Sequence, residues 1–449
     1  MDDAAPMEGR KRPGGAPPER KQAHISLDVG LLSLLISPVA FFYYLLFHTQ
    51  LALPILDDYD AVLAFSNAFT HDHGMRSRLI EIVAWQHNEY KLIFEHAVVA
   101  LMYAVTGRVN FINLVLLGNA FVLLIGLVLW LYFRTDQAVS RKRLVVFVPV
   151  VFLLFNLQYA EKVNWAAGSL QNLPVLAFSL LALWLAARPG RRAFLLSCLC
   201  LMLAIASSGN GFFVPLAALP MLVRRRAWGR LNAWGALTLG MIALYLFHYH
   251  LAPQQTLTAG VGRLLFPVMF LGGALGDVRV ALPLGACLWG IFLYALWHGY
   301  ERQQPDCFAA MLFLAITALA VAVTRGESGI SAEMASRYRI YSCLFLIFAY
   351  QYLMDRLSQS PRWRRRKAAA TMAAIALSAI FAARSDLAGY RFLAHRRTDT
   401  IQQFDSVQQG RPVPLAEPRM QPFFRHAAMV LRHSVDAGIY YPPQSLQLR

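Results

Sequence analysis

Long apolar segments, separated by short polar or basic stretches, recur along the whole chain. A helix needs about 20 consecutive apolar residues to cross the roughly 30 Å hydrocarbon core of a bilayer. Measured against that length, about thirteen segments are candidates. The pattern therefore predicts an all-α integral membrane protein, a polytopic bundle of about 11 to 13 transmembrane segments with the lipid bilayer as its surroundings.

The composition supports the same class of protein. Of 449 residues, 57% are hydrophobic and 15% are charged, whereas soluble domains carry about 25% charged residues. The apolar segments fall within residues 25–383, so we expect one membrane domain rather than a string of soluble domains. Residues 1–24 should form a disordered basic tail, because they are rich in Pro, Gly, Arg and Glu. Residues 384–449, with a helical stretch near 423–435, should form a small external cap.

The net charge of +17 is concentrated in short basic clusters beside the apolar segments. Cytoplasmic loops carry an excess of Lys and Arg, so the clusters predict a cytoplasmic N-terminus and a periplasmic C-terminal tail. The excess of Arg over Lys is typical of GC-rich bacteria, which favours the bacterial inner membrane. This arrangement also argues against a nucleic-acid partner. The clusters are Arg10–Arg12, Arg141–Arg143, Arg191–Arg192, Arg224–Arg226 and Arg364–Lys367.

Two apolar segments do not fit a simple alternation of crossings. Residues 91–107 are short and contain Glu95 and His96, and residues 264–275 are shorter still. If either segment crossed the bilayer, later basic clusters would fall on the external side. We therefore predict that both are interfacial or re-entrant, which leaves about eleven crossings.

Four polar stretches fall on the external side in this topology: residues 54–90, 159–172, 207–211 and 324–339. Ionisable groups at a membrane surface are costly to desolvate and usually mark a site. The stretches mix hydrogen-bond donors with acceptors, whereas the internal side holds mainly basic anchors. The pattern thus predicts a binding or catalytic site on the external side.

The residue types in these stretches suit glycosyl transfer. Asp57 and Asp58 follow the first apolar segment, and either carboxylate can act as base toward an acceptor hydroxyl. An adjacent pair can also hold a divalent cation, Mg²⁺ or Mn²⁺, through oxygen ligands. Arg337, Arg325 and Arg339 can bind the phosphate of a lipid-linked donor, because guanidinium groups bind phosphate oxygens bidentately.

Each group also has a plain structural interpretation. Asp57 and Asp58 are good helix caps, although capping requires only one of them. The stretch from His71 to His73 resembles a metal pair but is more typical of a solvated loop, since no third ligand has suitable spacing. Residues 207–211 are typical of a tight turn. Trp165 is typical of an interfacial aromatic residue, and its ring also suits stacking on a sugar.

Short motifs over most of the chain resemble those of bacterial C-type (GT-C) glycosyltransferases. The family pattern places His-Arg after the Glu of its second motif, where this chain has Tyr90-Lys91. Positive charge is kept at Lys91, but bidentate phosphate binding would be weakened. The motifs are Asp57-Asp58, Asn88-Glu-Tyr-Lys91, Asn210-Gly211 and Ser336-Arg-Tyr338.

The resemblance implies a GT-C-like fold with a long first periplasmic loop, residues 54–90, that carries the catalytic Asp. It implies a polyprenyl-phosphate sugar as donor and an envelope glycan or lipid as acceptor. Lys91 would join the arginines at the donor phosphate. The remaining candidate residues, which would bind substrate, are His87, Asn88, Glu89 and Trp165.

Two other functions stay open on the sequence. A transporter or polymerase of lipid-linked glycans should show paired halves with broken helices. No internal repeat is visible, and Glu95 is the main charge inside an apolar segment. A non-catalytic accessory membrane protein would tolerate loss of Asp57 and Asp58.

Overall fold

A computed structural model describes residues 29–71, 74–133, 141–250, 261–325, 332–359, 364–414 and 418–443. About 85% of these residues are helical, and none of them lies in a β-strand. The predicted all-α fold class is therefore confirmed. The expected N-terminal tail, and most of the stretch from His71 to His73, lie outside the described residues.

The helices follow the apolar segments that the sequence marks out, with short 3₁₀ turns at several of their ends. One π-helix, Tyr59–Ala64, follows the first helix. The α-helices are α1 (Val29–Thr49), α2 (Phe65–His71), α3 (Met75–Ala84), α4 (Ile93–Thr106), α5 (Phe111–Tyr132), α6 (Arg141–Leu154), α7 (Ala160–Val163), α8 (Ala166–Ala186), α9 (Arg191–Ser207), α10 (Phe213–Arg224), α11 (Trp228–Leu246), α12 (Val261–Gly272), α13 (Val278–Trp297), α14 (Tyr300–Gln303), α15 (Pro305–Arg325), α16 (Ala332–Gln359), α17 (Arg364–Gln408) and α18 (Gln421–Asp436).

Seven helices in the described part of the chain are long and apolar enough to cross a bilayer, which indicates a multi-pass membrane protein. The count of 11 to 13 crossings stays a prediction. Two further apolar segments, Ile93–Thr106 and Leu264–Leu275, form shorter helices. The seven are Val29–Thr49, Phe111–Tyr132, Arg141–Val163, Ala166–Ala186, Val278–Trp297, Pro305–Val323 and Arg366–Gln408.

The two segments of uncertain topology are both short helices. Helix α4 has 14 residues and helix α12 has 12, so they extend about 21 Å and 18 Å. Neither reaches across a hydrocarbon core of about 30 Å by itself. Their lengths suit interfacial or re-entrant segments.

The C-terminal part of the chain packs against the first loop. Helix α17 continues through residue 383 without a break, and α18 confirms the helical stretch expected near 423–435. The Ser434 hydroxyl donates to Asn67 Oδ1 at 2.9 Å, and the Tyr440 hydroxyl donates to the Ala52 carbonyl at 2.6 Å. The last helix therefore covers the segment that follows α1.

The two ends of the bundle differ in their polar groups. Described residues of the polar stretches that are predicted to be external lie at one end, where the Asn210 amide donates to the Tyr341 hydroxyl at 2.8 Å. At the opposite end, Arg188 pairs with Asp306 at 3.0 Å, and Tyr300 donates to Asp355 at 2.8 Å. The helices thus separate an aspartate-rich, mixed polar end from an arginine-rich end.

Helices α12 and α13 approach each other closely at two glycines. A Cβ atom on Gly285 would lie 1.8 Å from the Val268 carbonyl oxygen, and one on Gly272 would lie 1.8 Å from the Ala281 carbonyl oxygen. Only glycine leaves room for backbone contact of this kind. The distance between α12 and α13 therefore depends on glycine at both positions.

We predict that Gly285→Ala destabilises the protein by roughly 1–3 kcal/mol, because the added methyl group forces the two backbones apart. Thermal unfolding of the purified, detergent-solubilised protein measures the change. Gly290→Ala is the matched control, since Gly290 lies on the same helix and a Cβ there meets no atom within 4 Å. Equal melting temperatures for the two variants would contradict the prediction.

Candidate functional site

Asp58 anchors the first loop to the start of another helix. Its carboxylate is buried and accepts hydrogen bonds from the Ile55 N–H at 2.9 Å and the Ala167 N–H at 2.8 Å. Ala167 belongs to the first turn of α8, where backbone N–H groups lack partners within the helix. Asp58 makes no side-chain capping hydrogen bond to the helix that follows it, so the helix that it caps, α8, is distant in sequence.

The bend before Asp58 packs over a small apolar cluster of its own. Leu56 adopts a left-handed conformation, with φ of 47°, which side chains other than glycine rarely adopt. Its side chain packs on buried Ile55, Leu92 and Trp165. This packing holds the loop in a shape that its local sequence disfavours.

Burial changes the acidity of Asp58. Loss of solvent raises the pKa of this carboxyl to about 7, against the lowering effect of the two backbone hydrogen bonds. The neighbouring charge of Asp57 raises the pKa further, and that of Arg396 lowers it. Both oxygens are already engaged, so Asp58 positions the loop and is poorly placed to meet a substrate.

Asp57 is the accessible carboxylate of the pair. Its side chain is 40% exposed, and one oxygen lies 3.5 Å from Nε2 of His87. The other ring nitrogen of His87, Nδ1, makes a short hydrogen bond to Asp60. His87 thus joins two carboxylates of one loop and fixes their relative positions.

The ring of His87 carries a positive charge at neutral pH. Burial alone would lower the pKa of His87, but hydrogen bonds and charges from Asp57 and Asp60 outweigh burial and raise the pKa to about 10. His426 of α18 adds a second imidazole, with Nε2 at 3.9 Å from Asp60. We call Asp57, Asp60, His87 and His426 the acid–imidazole cluster.

A tight turn presents His87 to this cluster. The backbone N–H groups of His87 and Tyr90 each donate to the other's carbonyl, at 3.0 and 2.9 Å. Asn88 sits between them at φ of 50°, a conformation that Asn tolerates better than most residues. The exposed residues of the turn are Asn88, whose amide lies 2.9 Å from His87 Nε2, and Glu89.

Lys91 has a structural position. Its side chain is fully buried, and the ammonium donates to the carbonyls of Ala84 at 2.7 Å, Phe247 at 2.6 Å and His248 at 3.2 Å. An ammonium group has three donors, and all three are engaged. Lys91 therefore joins the end of α3 to the end of α11 and has no donor left for a phosphate.

Two arginines bracket the segment that precedes α8. Arg339 of α16 points Nη1 toward the Gln158 carbonyl at 3.5 Å, while its buried Nε has no partner among the described residues. Arg396 of α17 donates to the Glu161 carbonyl at 2.7 Å and lies 5.8 Å from the Trp165 ring. The sequence offered no local signal for Arg396, because only the long helix α17 brings it here.

The other expected binding residues are placed as follows. Trp165 is buried, with Lys162 Nζ at 4.5 Å from its ring. Arg325 and Arg337 lie on helices at the same end, but their side chains lie outside the described residues. Phosphate binding by these two arginines stays a prediction.

Among the described residues, no group of three or more His, Cys, Asp or Glu side chains is arranged to hold a metal ion. Binding of Mg²⁺ or Mn²⁺ by the pair Asp57 and Asp58 stays a prediction.

No family model, no curated protein and no solved structure matches the chain. The likeness to GT-C glycosyltransferases thus rests on the short motifs alone. The chemistry of the acid–imidazole cluster and its neighbours is therefore the evidence that bears on function.

We predict that Asp58→Asn destabilises the protein most at acidic pH. The folded pKa of about 7 exceeds the ordinary 3.8, so the stabilising contribution is complete below about pH 4 and is lost as the pH rises through 7. Asn has a single acceptor oxygen and leaves one N–H unpaired, at a cost of roughly 1–3 kcal/mol. Thermal unfolding at about pH 5 and about pH 8 measures both effects.

Asp436→Asn is the control for this comparison, because Asp436 is exposed on α18. It should change stability by less than about 0.5 kcal/mol at either pH. A destabilisation by Asp58→Asn that grows from the acidic to the alkaline condition would contradict the assignment.

Proposed function

We propose that this protein is an integral membrane glycosyltransferase of the bacterial inner membrane. It would move a sugar from a polyprenyl-phosphate donor to an envelope glycan or lipid on the periplasmic side. One observation carries the proposal: an accessible carboxylate, Asp57, is oriented by a buried His87 that Asp60 holds in turn. This is the arrangement of a general base with supporting groups.

Asp57 would accept the proton of the acceptor hydroxyl as that oxygen attacks the anomeric carbon. The imidazolium of His87 keeps Asp57 ionised, because a nearby positive charge favours the charged form of a carboxyl group. Asp58 holds the same loop in place through its two backbone hydrogen bonds. The two adjacent aspartates therefore have separate roles, one chemical and one positional.

The leaving phosphate needs cations, which Arg339 and Arg396 can supply. They lie on either side of residues 158–161, and the charge of Arg396 acts on Asp58, so it is near the acidic loop. Guanidinium groups suit phosphate oxygens because they offer parallel donors. Arg325 and Arg337 remain candidates for the same role.

The lipid chain of the donor needs an apolar groove, and the bundle has one. It measures about 540 Å³ and lies between α1, α6 and α17, where Phe41, Phe152 and Ala382 line it. Asp386 closes the polar end and accepts the Leu157 N–H at 2.8 Å. This hydrogen bond joins the groove to Leu157, the residue that precedes residues 158–161.

The proposal predicts loss of one envelope sugar when Asp57 loses its charge. Envelope glycolipids from a deletion strain, complemented with each variant, can be compared by mass spectrometry. Wild type should restore the sugar, whereas Asp57→Asn should reduce the product by about 10²-fold, as expected when a general base is removed. Asp436→Asn, an exposed substitution of the same kind, should restore the sugar fully.

Protein levels in the membrane fraction show whether each variant is made. Full restoration by Asp57→Asn at normal levels would remove Asp57 from catalysis and would favour the accessory protein. Transport would instead be favoured if the deletion strain accumulates an intact glycosylated carrier and the Asp57→Asn variant prevents that accumulation as well as wild type does.

A further inference from the structure

A second carboxyl group is buried behind the acid–imidazole cluster. Glu95 lies in the first turn of α4 and has no exposed surface. Neither of its oxygens has a hydrogen-bond partner among the described residues. Buried polar groups in folded proteins are nearly always hydrogen-bonded, so an orphan carboxyl calls for an explanation.

The surroundings of Glu95 place it at the site rather than in a remote core. The charges near enough to act on it include Asp58, His87 and Lys162. Burial raises the pKa of Glu95 well above its ordinary value, and the charge of Asp58 adds to the rise. Burial therefore favours the protonated, neutral form of Glu95, which has one O–H donor and one free carbonyl acceptor.

Two further orphan groups lie in the segment that carries Lys162. Asn164 is buried, and neither atom of its side-chain amide has a partner in the described structure. The next residue, Trp165, has a buried indole N–H that is also unpaired. The segment from Lys162 to Ala167 is the one that Asp58 holds against the loop, so these groups border the same region as Glu95.

The chemistry of these groups selects the ligand. A carboxylic acid, an amide and an indole N–H offer donors and acceptors without net charge, which suits the hydroxyl groups of a sugar ring. A phosphate is matched better by guanidinium groups, such as those of Arg339 and Arg396, than by these uncharged groups. A cationic amino sugar would be repelled by the positive charges of Lys162 and His87.

We propose that Glu95 and Asn164 bind the hydroxyl groups of the transferred sugar, and that this sugar is a neutral hexose. The inference rests on the proposed function and deepens it. It makes Glu95 a substrate-binding residue, distinct from the base Asp57, and gives the orphan polar atoms their partners.

Binding to the purified protein in nanodiscs tests the inference, with undecaprenyl phosphate and undecaprenyl-phosphate glucose as probes. Wild type should bind the glucosylated carrier more tightly than the bare carrier. Glu95→Leu and Asn164→Leu should each weaken binding of the glucosylated carrier by roughly tenfold, the effect of a lost buried hydrogen bond. Binding of the bare carrier should stay unchanged.

Glu95→Gln separates recognition from packing. The amide keeps one donor and one acceptor, so it should retain glucosylated-carrier binding within about threefold. Glu95→Leu should not lower the melting temperature, because removal of an unpaired buried carboxyl is neutral or stabilising. Asp355→Asn, at the opposite end of the bundle, is the control for a buried carboxyl that already has a partner.

The outcomes are distinct. If wild type binds neither carrier, the proposed function fails. If wild type binds both carriers equally, the hexose site is overturned while the carrier site stands. If wild type prefers the glucosylated carrier and Glu95→Leu keeps that preference, only the role of Glu95 is overturned. Tighter binding of an amino-sugar or uronic-acid carrier than of the glucosylated one would overturn the neutral hexose.

Discussion

The buried carboxylate of Asp58 is the interaction on which the candidate site depends. It accepts one N–H from its own loop and one from the start of α8, so it joins the segment after α1 to a helix in the middle of the bundle. Because the group is shielded from water, leaving either donor unpaired would be expensive. The positions of Asp57, Asp60 and Trp165 all follow from this junction.

Residues that look equivalent in sequence have different roles in the structure. Asp57 and Asp58 are adjacent, yet one is half-exposed and the other is buried with both oxygens engaged. Lys91 shows the same contrast with Arg396. The Lys91 ammonium donates to three backbone carbonyls, whereas the Arg396 guanidinium lies beside the acidic loop. Tertiary contacts, rather than residue type, decide which ionisable group can meet a ligand.

The polar ends of the bundle explain why the site lies where it does. Helices that alternate in direction bring every second loop to the same end, so described residues of separate polar stretches become neighbours, as Asp58 and Ala167 do. The arginine-rich end instead uses its charges on helix termini, as where Arg230 donates to the Arg188 carbonyl at 2.9 Å beyond α8. The candidate binding groups and the arginine-rich helix termini therefore lie at opposite ends of the bundle.

The sequence by itself determined the all-α class, the apolar segments and the loops that carry the unusual polar residues, because hydrophobic length and local charge are properties of contiguous residues. It also marked Asp57, His87 and the neighbourhood of Trp165. Only the tertiary structure decided that Asp58 is a buried anchor and that Lys91 is fully engaged. It alone brought Arg396 and His426 to the site, because burial and pairing depend on segments hundreds of residues apart.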